Sequence, residues 1–194
     1  MEVTSIKQID LNRTYSYADY LLWKLKERVE LLRGKVLKMS PAPSTKHQLV
    51  SGNLYGGLFP LFKNQQCKLF SAPFDVRLPS KSNDDEDIFT VVQPDICIIC
   101  DPNKIDEKGC IGAPDLIIEI LSPGNSKKEM KDKFQLYEEV GVKEYWIVDP
   151  NQESVIINVL EEGSYDIKKI VIDDMVSSYI FSNLSIHTND IFNV

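Results

Sequence analysis

The stretch from Asp115 to Pro150 constrains the fold more than any other part of the chain. It holds an apolar run, LIIEIL, then a charged amphipathic segment, KKEMKDKFQLYEEV, then a second apolar run closed by a turn, KEYWIVDP. The outer runs read as strands. The middle one is the clearest helix in the sequence, opened by the Ser126–Glu129 capping box and ended by Gly141. Upstream, residues 44–62 read as a second helix opened by Ser44 and closed by Pro60 and its neighbours, with His47, Val50, Leu54, Leu58 and Leu61 at helical spacing. Further strands are expected at residues 66–70, 74–78 and 95–100, besides the one at 115–121. The order helix, three strands, helix, strand predicts an α/β (α+β) sandwich, a mixed central β-sheet flanked by helices. Around it lie a Ser16-capped N-terminal helix, YADYLLWKLK, a hairpin RVELLRGKVLKM turning at Arg33-Gly34, and a C-terminal hairpin from residues 153–160 and 164–171.

A chain of 194 residues suits one domain with a sizeable core, so residues 1–194 are read as a single unit with its core at residues 44–150 and a single site. The N-terminus, MEVTSIKQIDLNRTYS, lacks the basic and apolar regions of a signal peptide, and no apolar run reaches the roughly 18 residues of a membrane span. A cytoplasmic protein without membrane contact is expected. The formal net charge of −7 argues against a broad basic field for gripping nucleic acid. It leaves open an enzyme whose acidic site is reversed in sign by bound cations. Part of the excess falls in SNDDEDIF, from Ser82 to Phe89, which reads as a solvated loop crest. Cys97 and Cys100 form a CxxC, but residues three apart on a strand face opposite ways, so all four cysteines are read as buried free thiols rather than zinc ligands.

GAPDLIIEILSPGN invites a metal reading, since Asp115 and Glu119 share one strand face. Their α-carbons would nevertheless lie about 13 Å apart at about 3.3 Å per residue, whereas oxygens on one Mg²⁺ each approach to about 2.1 Å. Glu119 therefore needs a partner from a neighbouring strand, and Asp95, heading DICIIC, is the best placed. Asp115 is expected to start its strand or pair with a basic side chain at the rim. A carboxylate buried in LIIEIL also needs a cation, whether a structural lysine, a catalytic one or a metal. On the following helix Met130, Phe134, Tyr137 and Val140 define the inward stripe at about 100° per residue. Lys133 falls inside it, Lys127 at its edge, Lys128 and Lys131 outside.

Taken together, QPDICII, PDLIIEILSPGN and KDKFQLYEEVGVKEYWIVDP resemble the Uma family of restriction endonucleases, a branch of the PD-(D/E)XK nuclease superfamily; the likeness runs from RVELLRGKVLKMSPAP through EYWIVDP. The resemblance implies a restriction-endonuclease-like core with the element order read above. It implies an endodeoxyribonuclease dependent on Mg²⁺, with Mn²⁺ as a substitute, acting on DNA as a possible homodimer. Carried over by residue, it makes Asp95 and Glu119 the metal-binding acids. Two positions after Glu119, where the superfamily motif asks for lysine, stands Leu121; Lys133 occupies the position to which the family's lysine has moved. Glu30 matches the N-terminal acidic position, which makes it a catalytic acid completing the metal shell directly or through water, beside a plain reading as an exposed hairpin glutamate paired with Arg28 or Lys35. His47 matches a substrate-binding or supporting position, beside a plain reading as an incidental helix-start histidine. Asp75, in SAPFDVRLP, is a weaker match, and Tyr17, Tyr20 and Trp23 read as interface or core. The alternative function is a catalytically degenerate nuclease-fold binding or interaction protein. A small-nucleotide phosphodiesterase would lack a phosphate-cradling glycine motif here.

Overall fold

The computed structural model describes residues 2–39, 43–122 and 127–193. Helix α1 (Tyr17–Leu21) is followed by the hairpin β1 (Val29–Leu32) and β2 (Lys35–Lys38), then by α2 (Thr45–Phe62). Next come β3 (Lys68–Ser71), β4 (Val76–Arg77), β5 (Val91–Val92), β6 (Ile96–Ile99), β7 (Ile105–Asp106), β8 (Gly109–Ile111) and β9 (Leu116–Ile120). Helix α3 (Lys127–Val140) leads to β10 (Glu144–Asp149), β11 (Ser154–Glu161) and β12 (Ser164–Ile172). The chain ends with β13 (Met175–Ser177), β14 (Ser185–His187) and α4 (Thr188–Phe192).

The central sheet has the order β12-β11-β10-β9-β6-β3. It is mixed because β9 and β10, joined through α3, run parallel while their neighbours pair antiparallel. Alternation along β9 sorts its faces: Leu116, Ile118 and Ile120 pack with Val50, Leu54 and Leu58 of α2, while Ile117 packs with Leu136 and Tyr137 of α3. Glu119 therefore lies on the α3 face. A second sheet, β2-β1-β5-β4-β8-β7, carries the N-terminal hairpin. The chain crosses from that sheet to the central one within Gln93, Pro94 and Asp95, between β5 and β6. This short crossing sets Asp95 at the end of β6, beside the second sheet.

The hairpin turns at Arg33 (φ 50°) and Gly34 (φ 77°), a pair of left-handed conformations that suits the twist of two-residue hairpins. A Cβ at Gly34 would also lie 2.3 Å from the Thr14 side chain. Ser16 caps α1 in a capping box with Asp19, but the helix ends at Leu21, well short of the expected segment. Helix α2 is capped by Ser44 and ends at Phe62 as expected, with Pro60 inside its last turn. Near the last turn a proline forgoes one backbone bond with little helix left to disrupt. Gly141 (φ 83°) ends α3; the expected Ser126 cap lies outside the described residues.

Two readings are corrected. Cys67 and Cys100 are not free thiols but a disulfide, closing across β3 and β6 just beyond the Lys68–Ile99 pair. Only Cys97 and Cys110 are free, both buried. The β11–β12 hairpin is also not the last element. β13, β14 and α4 fold back over α2: Ile186 touches Gly57, where a Cβ would come within 2.6 Å, and Asn53 Nδ2 donates to the Ile191 carbonyl at 3.2 Å. Among the described residues no helix is long and apolar enough to cross a membrane.

Candidate active site

The site forms where β1 of the second sheet meets the ends of β6 and β9 and the inner face of α3. Continuing the β6–β9 register, in which Ile96 opposes Ile118, puts Asp95 opposite Glu119. The strands thus supply the cross-strand pair of acids that spacing along β9 alone cannot. Asp95 is fastened in place: its Oδ2 accepts from the Ile120 amide at 2.8 Å and lies 3.4 Å from His47 Nε2.

Lys133 is the centre of the arrangement. It is only 8% exposed, whereas Lys127, Lys128 and Lys131 of the same helix are exposed. Its ammonium donates to Glu119 Oε1 at 2.9 Å and to Glu30 Oε1 at 3.0 Å. Tyr137, one turn further along α3, donates its hydroxyl to the same Glu119 oxygen at 2.7 Å. Glu30, 2% exposed, also accepts from the Gln93 amide at 2.8 Å, so both of these bonds tie β1 to the site. Glu30 thereby grips Lys133 rather than facing solvent as a hairpin glutamate would. Asp115 stands at the opposite end of β9 from Glu119 and takes Lys143 Nζ at 2.6 Å and the Cys100 amide at 2.8 Å. It is the rim ion pair foreseen for it.

The electrostatics follow from this packing. Burial pushes Glu119 up to about 7; the Lys133 charge opposes that shift, and the negative charges of Asp95 and Glu30 add to it. For Lys133 burial works against the ammonium, but Glu119 and Glu30 more than offset it, and its pKa lies above the usual lysine range. Burial likewise lowers His47, yet the hydrogen bond and charge of Asp95 outweigh it and hold the imidazole above its ordinary value. His47 Nδ1 is buried with no partner among the described residues.

A cavity of about 460 Å³ opens over these groups, with His47, Asp95, Glu119 and Lys133 on its floor. Lys26, Arg28 and Lys38, all exposed, stand along its wall on the hairpin side. Sequence reading missed that basic wall because its members belong to no periodic pattern. It also missed Gln93, which accepts two bonds from Arg28 at 3.1 and 2.7 Å and donates to Asp75 Oδ1 at 2.8 Å. Tyr137 was legible as Lys133's neighbour one turn on.

Residues 17–189 match the family Uma2, described as "Putative restriction endonuclease". The chain belongs to the Uma2 family. It is 25% identical over 121 residues to "Uncharacterized protein slr1290" of Synechocystis sp., a match spanning 61% of this chain and 60% of that protein. Its fold is similar to that of "a putative nuclease belonging to DUF820" from Anabaena variabilis, with a TM-score of 0.69 and 22% identity, over 92% of this chain and 98% of that one.

Uma2 membership raises the matter of a divalent metal, and the donor set can be tested against one. Among the described residues no group of three or more His, Cys, Asp and Glu side chains is arranged to hold an ion. What is present is a pair of carboxylates, with side chains 20% and 14% exposed for Asp95 and Glu119. Among the described residues their hydrogen bonds fall on Oδ2 and Oε1 alone, leaving Oδ1 and Oε2 without one. All-oxygen ligation by few side chains fits Mg²⁺, which retains several waters, and does not fit a tetrahedral zinc centre.

Proposed function

We propose that the protein is a Mg²⁺-dependent endonuclease hydrolysing phosphodiester bonds in DNA, with residues 1–194 acting as one domain. Asp95 and Glu119 are its metal-binding carboxylates, Lys133 its catalytic cation, and Glu30 the group that positions Lys133. The observation that supports this most is a buried lysine paired with two carboxylates on the floor of a cavity that also holds the cross-strand acid Asp95. When bound, the divalent ion supplies charge neutralisation at a non-bridging phosphate oxygen and a water of lowered pKa.

The chain's own residues do the rest. Lys133 orients the attacking oxygen and stabilises the negative charge growing on the oxygens of the phosphorane. Glu30 and Tyr137 restrict the ammonium and the Glu119 carboxylate to one geometry, which pre-organises them before substrate arrives. His47, beside Asp95, steadies that carboxylate and meets substrate phosphate. Lys26, Arg28 and Lys38 place positive charge where a polynucleotide backbone would run, so a chain of net charge −7 needs no wider basic field. Cleavage of both strands is expected from two copies acting together, in the cytoplasm.

The test is plasmid cleavage with Mg²⁺ or Mn²⁺. Wild type nicks and linearises the substrate, Asp95→Ala and Glu119→Ala abolish cleavage, and Lys133→Met slows it by about a hundredfold or more. Activity surviving in both carboxylate variants sinks the reading. A degenerate binding module is favoured instead if calorimetry finds no Mn²⁺ binding that depends on Asp95.

A further inference from the structure

The catalytic cavity has a neighbour. A smaller cavity of about 280 Å³ lies against it, and Glu27, Arg28 and Gln93 line both. Its other walls are of a different kind, dominated by Tyr20, Trp23 and Pro73. The Tyr20 and Trp23 rings are half-buried, with centroids 5.9 Å apart and planes inclined by 56°, so they form an open angle rather than a closed stack. Tyr15 supports Trp23 edge-on at 5.1 Å, and Tyr17 stacks on Tyr20 at 5.6 Å, which fixes both rings from behind. Gln93 Nε2 lies 3.3 Å from the Tyr20 hydroxyl and the Arg28 guanidinium is anchored on Gln93 Oε1, so amide and guanidinium groups stand at the boundary of the two cavities.

Resting on the nuclease reading, we infer that this second cavity is a nucleobase subsite: it takes an unpaired base of the strand whose phosphodiester lies over Asp95, Glu119 and Lys133. A flat aromatic ring is what a pair of fixed, inclined aromatic side chains accommodates, and stacking accepts any base because every base has a π-face. Continuity with the catalytic cavity selects the occupant. The wall the two cavities share carries Arg28 together with Glu27, with Lys26 beside them on the larger one, and a guanidinium between an acidic catalytic floor and an aromatic pocket matches a nucleotide's phosphate and base. A base inside a regular duplex is stacked on its neighbours and cannot enter. The substrate class is accordingly single-stranded DNA, or duplex with a locally unpaired nucleotide.

The chain contains its own reporter. Of its two tryptophans, Trp146 is fully buried in the core and Trp23 lines the pocket. Wild-type protein in EDTA is titrated with a short single-stranded DNA oligonucleotide, with the same oligonucleotide carrying abasic sites, and with its duplex, following tryptophan emission and fluorescence anisotropy of labelled DNA. The expected result is quenching by the base-bearing single strand, with the abasic and duplex forms binding several-fold more weakly and quenching little. Trp23→Phe abolishes the quench while retaining a stacking surface and most of the binding. Trp23→Ala, with folding checked by thermal melting, weakens single-strand binding about tenfold. Equal affinity for abasic and base-bearing strands, or no single-strand binding at all, overturns the inference. Trp23 emission that changes with protein concentration but not with DNA overturns it in favour of a protein partner. Failure of the nuclease reading shows separately, as plasmid cleavage that persists in Asp95→Ala.

Discussion

Replacing Lys133 by methionine preserves most of the side chain's volume and removes its charge, leaving Glu30 and Glu119 without the ammonium that lies 3.0 and 2.9 Å from them. Each attraction at about 3 Å is worth about 5 kcal/mol at an effective dielectric near 20, but that sum overstates the loss, because the stranded carboxylates escape by binding protons. Glu119, already pushed up to about 7 by burial, takes up a proton readily once the ammonium is gone. The expected destabilisation is about 3–4 kcal/mol at pH 7, in line with the cost of breaking a buried pair by deleting one partner. The pH dependence has a definite sign. The Lys133 charge holds Glu119 down, so in the variant its folded pKa rises further above the unfolded one; its contribution is fully present below about 4.5 and is lost as pH rises. The gap to wild type should therefore shrink as pH falls and be largest above pH 7. Urea unfolding in EDTA at pH 5, 7 and 8 measures it. A loss below about 1 kcal/mol at pH 7, or one that is the same at all three pH values, refutes the picture of a lysine neutralising two buried acids.

In wild type the proton on Glu119 competes with any cation for the same carboxylate, so Mn²⁺ affinity measured by calorimetry should weaken as pH falls below about 7, and Asp95→Asn should lower it at least about tenfold at any pH. The metal-free protein should lose part of its stability as pH rises from about 4.5 to about 7, where the unfolded chain has released the proton that folded Glu119 still holds, and added Mn²⁺ should restore it, as thermal melting would show. Reducing the Cys67–Cys100 bond, 33 positions apart in sequence, should cost about 2–4 kcal/mol, read as a shift of the urea midpoint with dithiothreitol. Glu144→Gln should cost about 2–3 kcal/mol by the same assay, since an amide nitrogen would face donors that the carboxylate now accepts.

What could be read from the chain depended on how long each pattern ran. α2 and α3, at 18 and 14 residues, and the apolar β9 and β10 showed their patterns plainly. β4 and β5, two residues each, carry no period at all, and the β13, β14 and α4 elements are too short to announce the cover they form over α2. Lys133 was legible because one helix turn distinguishes an inward lysine from its outward neighbours. That its second partner is Glu30, 103 positions away, depends on how the two sheets abut, which no local spacing encodes. The Cys67–Cys100 bond depends in the same way on the β3–β6 pairing.

The rule that led to Glu119, that a carboxylate in an apolar strand needs a special partner, fails to separate it from Glu144, and the reason is instructive. Glu144 is fully buried at the start of β10, with one oxygen accepting from Trp146 Nε1 at 2.5 Å and the other from Ser178 Oγ and the Tyr179 and Ile180 amides at 2.9–3.1 Å. Burial raises its pKa and every one of those bonds pulls it back. All its donors are neutral, both oxygens are occupied, and the group fastens the 178–180 turn to the sheet. Glu119 receives its ammonium and its phenol on a single oxygen, and its side chain opens on a cavity. A structural carboxylate is saturated by donors that cannot leave. Under the proposed function, Glu119 keeps an oxygen accessible and takes its compensation from a cation that a substrate would share. Burial of charge in a strand therefore nominates candidates, and the distribution of donors over the two oxygens decides between them.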